Sequence, residues 1–181
     1  MNRAIQGLVV VVLLSPQWPL LNAQKPAESN EMGCPMMHRQ QRGKDPHHAA
    51  VDQHGDMAMG FSHDQTTHHF RLSPVGGAIE VTANSATDIE SIGAIRSHLA
   101  HIASMFGGGD FSTPMFVHNT IPPGVTAMKL LKDSIRFGYE SIESGGRVRI
   151  ESGDPVAVAA IQDFLRFQIA DHQTGDPLSG K

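Results

Sequence analysis

Residues 76–81 read GGAIEV, and residues 145–150 read GGRVRI. Each glycine pair leads into apolar residues two apart: Ile79 and Val81 in the first, Val148 and Ile150 in the second. Alternation of that kind marks a strand with one buried face. HHFRL (68–72) precedes the first through SPVGG (73–77), and IRFGYESI (135–142) precedes the second through ESGG (143–146). Each pair of runs therefore reads as a hairpin.

A helical period follows each hairpin. Ile92, Ile95, Leu99, Ile102 and Phe106 recur at three- and four-residue spacing. Ser85 or Thr87 is available to cap this helix, and Asp88 and Glu90 sit in its first turn, where the dipole favours acids. The second helix opens at Asp154 and Pro155 and is ended by Gly175. With a three-residue gap, Ile95, Leu99 and Ala103 align with Ile161, Leu165 and Ile169. The chain thus reads as a weak internal repeat of two β-β-α units. A short helix in GVTAMKLLKDS (124–134) is inserted between them, and STPMFVHNTIPPG (112–124) reads as a loop. The economical layering is α+β: one four-stranded antiparallel sheet with helices on one face.

Outside this domain the reading changes. Residues 1–23 have the form of a signal peptide, with Arg3, a short apolar run from Gly7 to Leu14, and small Ala23 at the cleavage position. The run is shorter than the ~20 residues of a membrane span, so none is expected after its removal. Residues 24–58 lack apolar periodicity and read as a disordered segment rich in Met, His and Cys. A single domain spans 59–174, and 175–181 is a tail. The expected location is periplasmic or secreted. A net charge of −4 offers no basic field for nucleic acid. One cysteine, Cys34, excludes an intramolecular disulfide and a thioredoxin-type dithiol.

Eleven histidines are the unusual feature of the composition. The repeat aligns His98 with Phe164 and His101 with Phe167, placing imidazoles where the second unit has aromatics. His98, His101 and Met105 are spaced i, i+3, i+7 on one flank of the apolar stripe, a set able to share one ion. His68 alternates in phase with Phe70 and Leu72 and so points inward. His118, Met115 and Met128 lie in the connecting segment and are placed to close such a site. In the 24–58 segment and just beyond it, Cys34, Met36, Met37, His38, Met57 and Met59 are soft donors. Thioether, thiolate and imidazole together favour copper(I); zinc would use the Cys and His, and His47, His48 and His54 suit nickel or zinc. A noncovalent haem held by His and Met is also open.

No G-x-S-x-G elbow, H-E-x-x-H helix, phosphate-binding loop or dinucleotide fingerprint occurs. MGFSHDQTTHHFRLSPVGGAIEVTAN (59–84), IRSHLAHIASMFGGGDFSTPMFVH (95–118) and PPGV (122–125) resemble a small bacterial family of exported proteins of unknown function. The resemblance covers roughly residues 59–174 and implies histidine at His68, His69, His98, His101 and His118. Some members carry the label aspartate carbamoyltransferase, which this sequence does not support, because it lacks the S-T-R-T carbamoyl-phosphate loop. The expected function is copper capture, buffering or delivery, with a metal ion and a periplasmic transfer protein as partners. Binding is expected to fail as imidazoles protonate below about pH 6. The competing classes are a metal-dependent enzyme using the same histidines, and a metal-free ligand- or partner-binding module.

Overall fold

The structure, a computed structural model, describes residues 45–180. The expected signal peptide, Cys34, Met36, Met37 and His38 lie outside the described residues. The elements run α1 (Pro46–Met59), β1 (Thr66–Ser73), β2 (Gly76–Ala83), α2 (Ile89–Gly107), α3 (Ser112–His118), α4 (Val125–Leu130), β3 (Ile135–Ile142), β4 (Gly145–Ser152) and α5 (Pro155–Asp171). All strand pairings are antiparallel, in the order β1-β2-β4-β3. The fold is α+β, as the two hairpin-plus-helix units require.

The order puts the two glycine-led strands side by side at the centre. Ile79 faces its own repeat mate Val148 across the β2–β4 seam, so the two units are related by an approximate two-fold through that seam. Each long helix then lies over the other unit's hairpin: α2 packs on β3 and β4, and α5 on β1 and β2. Gly77 and Gly146 permit the crossing. A Cβ at Gly77 would stand 2.4 Å from Leu165 Cδ1, and one at Gly146 would stand 3.2 Å from Leu99 Cδ1. Leu99 and Leu165 are themselves repeat mates. The inner sheet face buries Phe70, Ile79, Val81, Val148 and Ile150 against Ile95, Leu99, Ile161, Phe164 and Leu165 in one core. The outer face carries charges, with Arg147 2.6 Å from Glu80 and Arg149 2.6 Å from Glu140. Both arginines remain partly exposed, and such pairs contribute little to stability.

Capping follows the repeat too. Asp88, rather than Ser85 or Thr87, caps α2 by accepting the Ser91 N–H at 3.0 Å. Its mate Asp154 caps α5 by accepting the Val156 N–H at 2.8 Å.

Three boundaries differ from the sequence reading. The folded part begins at α1 rather than at residue 59: residues 46–58, read as disordered, are helical. Asp45 accepts the His47 N–H at 2.9 Å, Pro46 occupies the first turn, and Gly60 ends the helix at φ 74°. On α1 only Val51 and Gly55 are buried, so no apolar period announces it. The expected loop at 112–124 contains α3, where Asp110 accepts the Ser112 N–H at 2.8 Å and left-handed Asn119 ends the helix. At 7 residues α3 is too short to show a period. Finally, α5 stops at Asp171, and the segment beyond it is tied down. Asp176 accepts the Phe70 N–H, which the tail reaches by folding back on β1, and a local hydrogen bond from Thr174.

Candidate functional site

The approximate two-fold makes the two sides of the core directly comparable. Extending the helix alignment by one turn pairs Phe106 with His172, and extending the hairpin alignment pairs Phe137 with His68. On one side Phe106 meets Phe137 edge-on at 6.0 Å and stacks on Phe111 at 4.4 Å, closing an aromatic core. On the other side His68 and His172 stack at 5.9 Å, within 4° of parallel. Imidazoles stand where the fold is satisfied by phenyl rings.

Around this pair the chain gathers further donors. β1 holds His68 inward, with Nε2 3.3 Å from Met59 Sδ at the end of α1. His98 of α2 and His68 both pack on Phe61, at 5.8 and 6.3 Å. His118, buried at the end of α3, lies 5.0 Å from His172, edge to face. These four imidazoles and Met59 line a cavity of about 80 Å³ whose floor is the apolar sheet face. A wider cleft of about 540 Å³ reaches solvent and shares Gly55, Met59, His68 and His172 with the cavity. Those shared residues border both spaces, and the place where they meet is the neck. The cleft is acidic: Asp45, Asp52 and Asp171 line it, and His63 at its side lies within 3.5 Å of Asp52, Asp56 and Asp64.

Burial decides the charge of the inner histidines. It is the largest influence on His68 and lowers its pKa to about 4, with His98 adding to the effect. Burial, then His101, lowers His98 to about 4. Burial and the nearby His118 and His68 lower His172 to about 3. All three are neutral at pH 7 and remain so at pH 5, as ligand imidazoles must be.

His118 plays another part. Nδ1 is hydrogen-bonded to Asp171 Oδ2, and Nε2 lies 2.9 Å from Gln168 Oε1. Asp171 also accepts from His47 Nε2 at 2.7 Å, and its backbone carbonyl from His48 Nδ1 at 3.1 Å. Burial pushes the Asp171 carboxyl up, but the hydrogen bonds from His47 and His118 outweigh it and hold the carboxyl below its ordinary value. One carboxylate thus ties α1, α3 and α5 together.

Of the residues singled out in sequence, the structure brings together Met59, His68, His98 and His118. His101 is exposed and outside the cavity lining: three residues past His98 turn it about 60° off the stripe, toward solvent. Met105 is partly buried beside Thr113, with 3.9 Å between Sδ and Oγ1, and lines neither space. Met115 likewise lines neither space, and Met128 is fully buried core. Met57 is 62% exposed. Sequence reading missed Gln168, Asp171 and His172. The available signal was Gln168, a polar residue on the apolar stripe of α5 four residues after Phe164 and four before His172.

As they stand, the rings do not form a finished metal centre. Among the described residues no three His, Cys, Asp or Glu side chains are gathered to hold a metal ion. The stacked rings of His68 and His172 do not converge their nitrogens, and both nitrogens of His118 are engaged. No helix among the described residues is long and apolar enough to cross a membrane. Comparison with known protein families, curated proteins and solved structures finds no match.

Proposed function

We propose that the protein captures a soft metal ion, copper(I) best, at the neck where Met59, His68 and His172 meet. One observation carries this reading: Met59 Sδ and His68 Nε2 lie 3.3 Å apart, beneath a second neutral imidazole. A thioether and neutral imidazoles form a soft donor set that suits copper(I) and gives a hard cation little. Rotation of the His172 ring supplies the third donor. The acidic cleft outside the neck draws cations toward it. A bare ion is favoured over haem by the size of the space these residues line, about 80 Å³.

Export to the periplasm and a capture role for Cys34, Met36, Met37 and His38 complete the reading. The tail donors would take the ion, and the neck would hold it for a transfer partner. An enzyme using His118 as a base is less favoured, because both its ring nitrogens are already engaged.

The test is anaerobic copper(I) competition against a chromophoric chelator. It uses the full chain with C34S, M36L, M37L and H38N, so that only the domain binds. Stoichiometric binding that weakens at least about tenfold in Met59→Leu and in His68→Phe, a loss of about 1.4 kcal/mol, supports the reading. Binding unaffected by both substitutions would overturn it.

A further inference from the structure

The tail covers one edge of the sheet. Along β1, Asp176 accepts the outward N–H of Phe70 at 2.9 Å, and a Cβ at Gly180 would stand 3.1 Å from the Leu72 carbonyl. Along β3, at the other edge, no strand among the described residues pairs with the outer side. Ser152 donates its N–H to Val75 at 2.9 Å, so Ser152, Ile150 and Val148 bond toward β2, and the alternate residues of β4 bond toward β3. Arg136, Gly138 and Glu140 face those alternate residues. Phe137, Tyr139 and Ser141 therefore turn their backbone N–H and C=O groups out of the sheet. Proline, a bulge or a run of one charge usually blunts such an edge. β3 has 8 residues, no proline and an unbroken register.

Its sequence is symmetric about Gly138. Phe137 and Tyr139 flank the glycine on the inner face, and Arg136 and Glu140 flank it on the outer face. Of the outer-face arginines, Arg71, Arg147 and Arg149 have carboxylate partners, whereas Arg136 is exposed and makes no ion pair among the described residues. We propose that β3 is an interface for a second copy of this chain. The two β3 strands pair antiparallel about a two-fold axis at Gly138 and join the four-stranded sheets into one. Phe137 then exchanges both backbone hydrogen bonds with Tyr139 of the second copy, and their rings cover one another. Arg136 stands opposite Glu140 of the second copy, in a close non-hydrogen-bonded pair, and gains the carboxylate it lacks. Sliding the strands by two residues sets Arg136 against Gly138 or Ile142. Sliding them by four sets Arg136 against Arg136 or Glu140 against Glu140, so charge selects one register. Small residues border the seam: Arg96 of α2 reaches the Ile142 and Glu143 carbonyls, and Ala100, Ala103 and Gly107 lie within about 40° of it around the helix. His68 lies on β1, at the edge away from the seam, so the candidate site stays open and the inference does not depend on a metal.

The test is sedimentation velocity of the full chain over a dilution series, with circular dichroism to confirm the fold of each variant. A dimer is expected. Arg136→Glu sets a carboxylate opposite Glu140, and Glu140→Arg sets a guanidinium opposite Arg136. Each alone should weaken dimerisation at least about tenfold, because the two-fold counts every pair twice. Mixing the two variants should restore the dimer, as every pair across the seam is then of opposite charge. Cysteine trapping reads the register in a C34S background. Gly138→Cys brings two thiols together at the axis, and an added Cβ there meets nothing within 4 Å of its own chain, so air oxidation should link the copies. Arg136→Cys should not link, because its counterpart lies about 13 Å away. A chain that is monomeric at every concentration overturns the inference. So does a dimer that neither charge variant weakens, or linkage at residue 136 as complete as at 138.

Discussion

The rings of His68 and His172 stack 5.9 Å apart within 4° of parallel, in positions that the other unit fills with Phe137 and Phe106. The fold closes its core with aromatics on one side and leaves partly buried, neutral imidazoles on the other. Packing alone does not ask for that difference. Replacing both histidines by phenylalanine is expected to preserve the fold and raise the urea midpoint, a gain on the order of 1 kcal/mol from removing buried polar atoms. The adjoining space of about 80 Å³ accepts the larger ring edges. Copper(I) binding should be lost in the same variant. A fall in stability of more than about 1 kcal/mol would show that the imidazoles serve the fold.

The acid response follows from the same residues. His68 and His98 ionise near pH 4 and His172 near pH 3 in the folded protein, against 6.5 for the ordinary side chain. The unfolded chain binds protons first as pH falls, so the stabilisation is complete above about pH 6.5 and is lost on acidification toward pH 4. The slope is up to about 1.4 kcal/mol per pH unit for each such histidine. Urea unfolding between pH 6.5 and 4.5 should show this loss, and His68→Phe should flatten it. Asp88, Asp110, Asp171 and Asp176 are all held below 3.8, so they titrate below that window. A wild-type midpoint independent of pH across the window would contradict the burial of these rings.

The repeat made the sheet and its two long helices legible, because each is announced by a period and a cap: Ile79 and Val81, Val148 and Ile150, Leu99 and Leu165. It did not announce α1, which buries only Val51 and Gly55 and is tied by His47, His48 and His54 to groups distant in sequence. The candidate site was half legible for the same reason. His68 and His98 sit in periodic elements whose inward face can be counted. His172 lies one residue past the end of α5, and Asp171 takes its part from partners 53 and 124 residues away. Long-range polar contacts of that kind leave no local pattern.

Gly77 gives a test of the helix crossing. A Cβ there would meet the Arg71 carbonyl at 2.3 Å and Leu165 Cδ1 at 2.4 Å, whereas at Gly138 it meets nothing within 4 Å. Gly77→Ala is expected to destabilise by roughly 1–3 kcal/mol through overpacking. Gly138→Ala should be neutral or mildly stabilising. Gly146→Ala should fall between, since its nearest neighbours are side chains of Tyr139 and Leu99 at 3.1 and 3.2 Å. Thermal unfolding of the three variants reads the order directly, and equal effects at Gly77 and Gly138 would mean that α5 does not lie so close to β2.

Asp171 should control the docking of α1. Its Oδ1 accepts from His47 at 2.7 Å, its Oδ2 from His118, and its carbonyl from His48 at 3.1 Å. Apart from these, α1 is held by the buried Val51, by the contacts of His54 and Met59, by Asp52 and Asp56 against His63, and by His48 against Gln173. Asp171→Asn removes the charge that both imidazoles address and leaves His118, 3% exposed, with a weaker partner. The expected cost is about 1–3 kcal/mol, and His47→Ala, whose side chain is 53% exposed, should cost clearly less. Amide exchange should then quicken across residues 46–59 in Asp171→Asn while β2 and β4 keep their protection. Because Met59 lies on α1, copper(I) affinity should fall with that protection. Unchanged exchange in α1 would show that its other contacts hold the helix without Asp171.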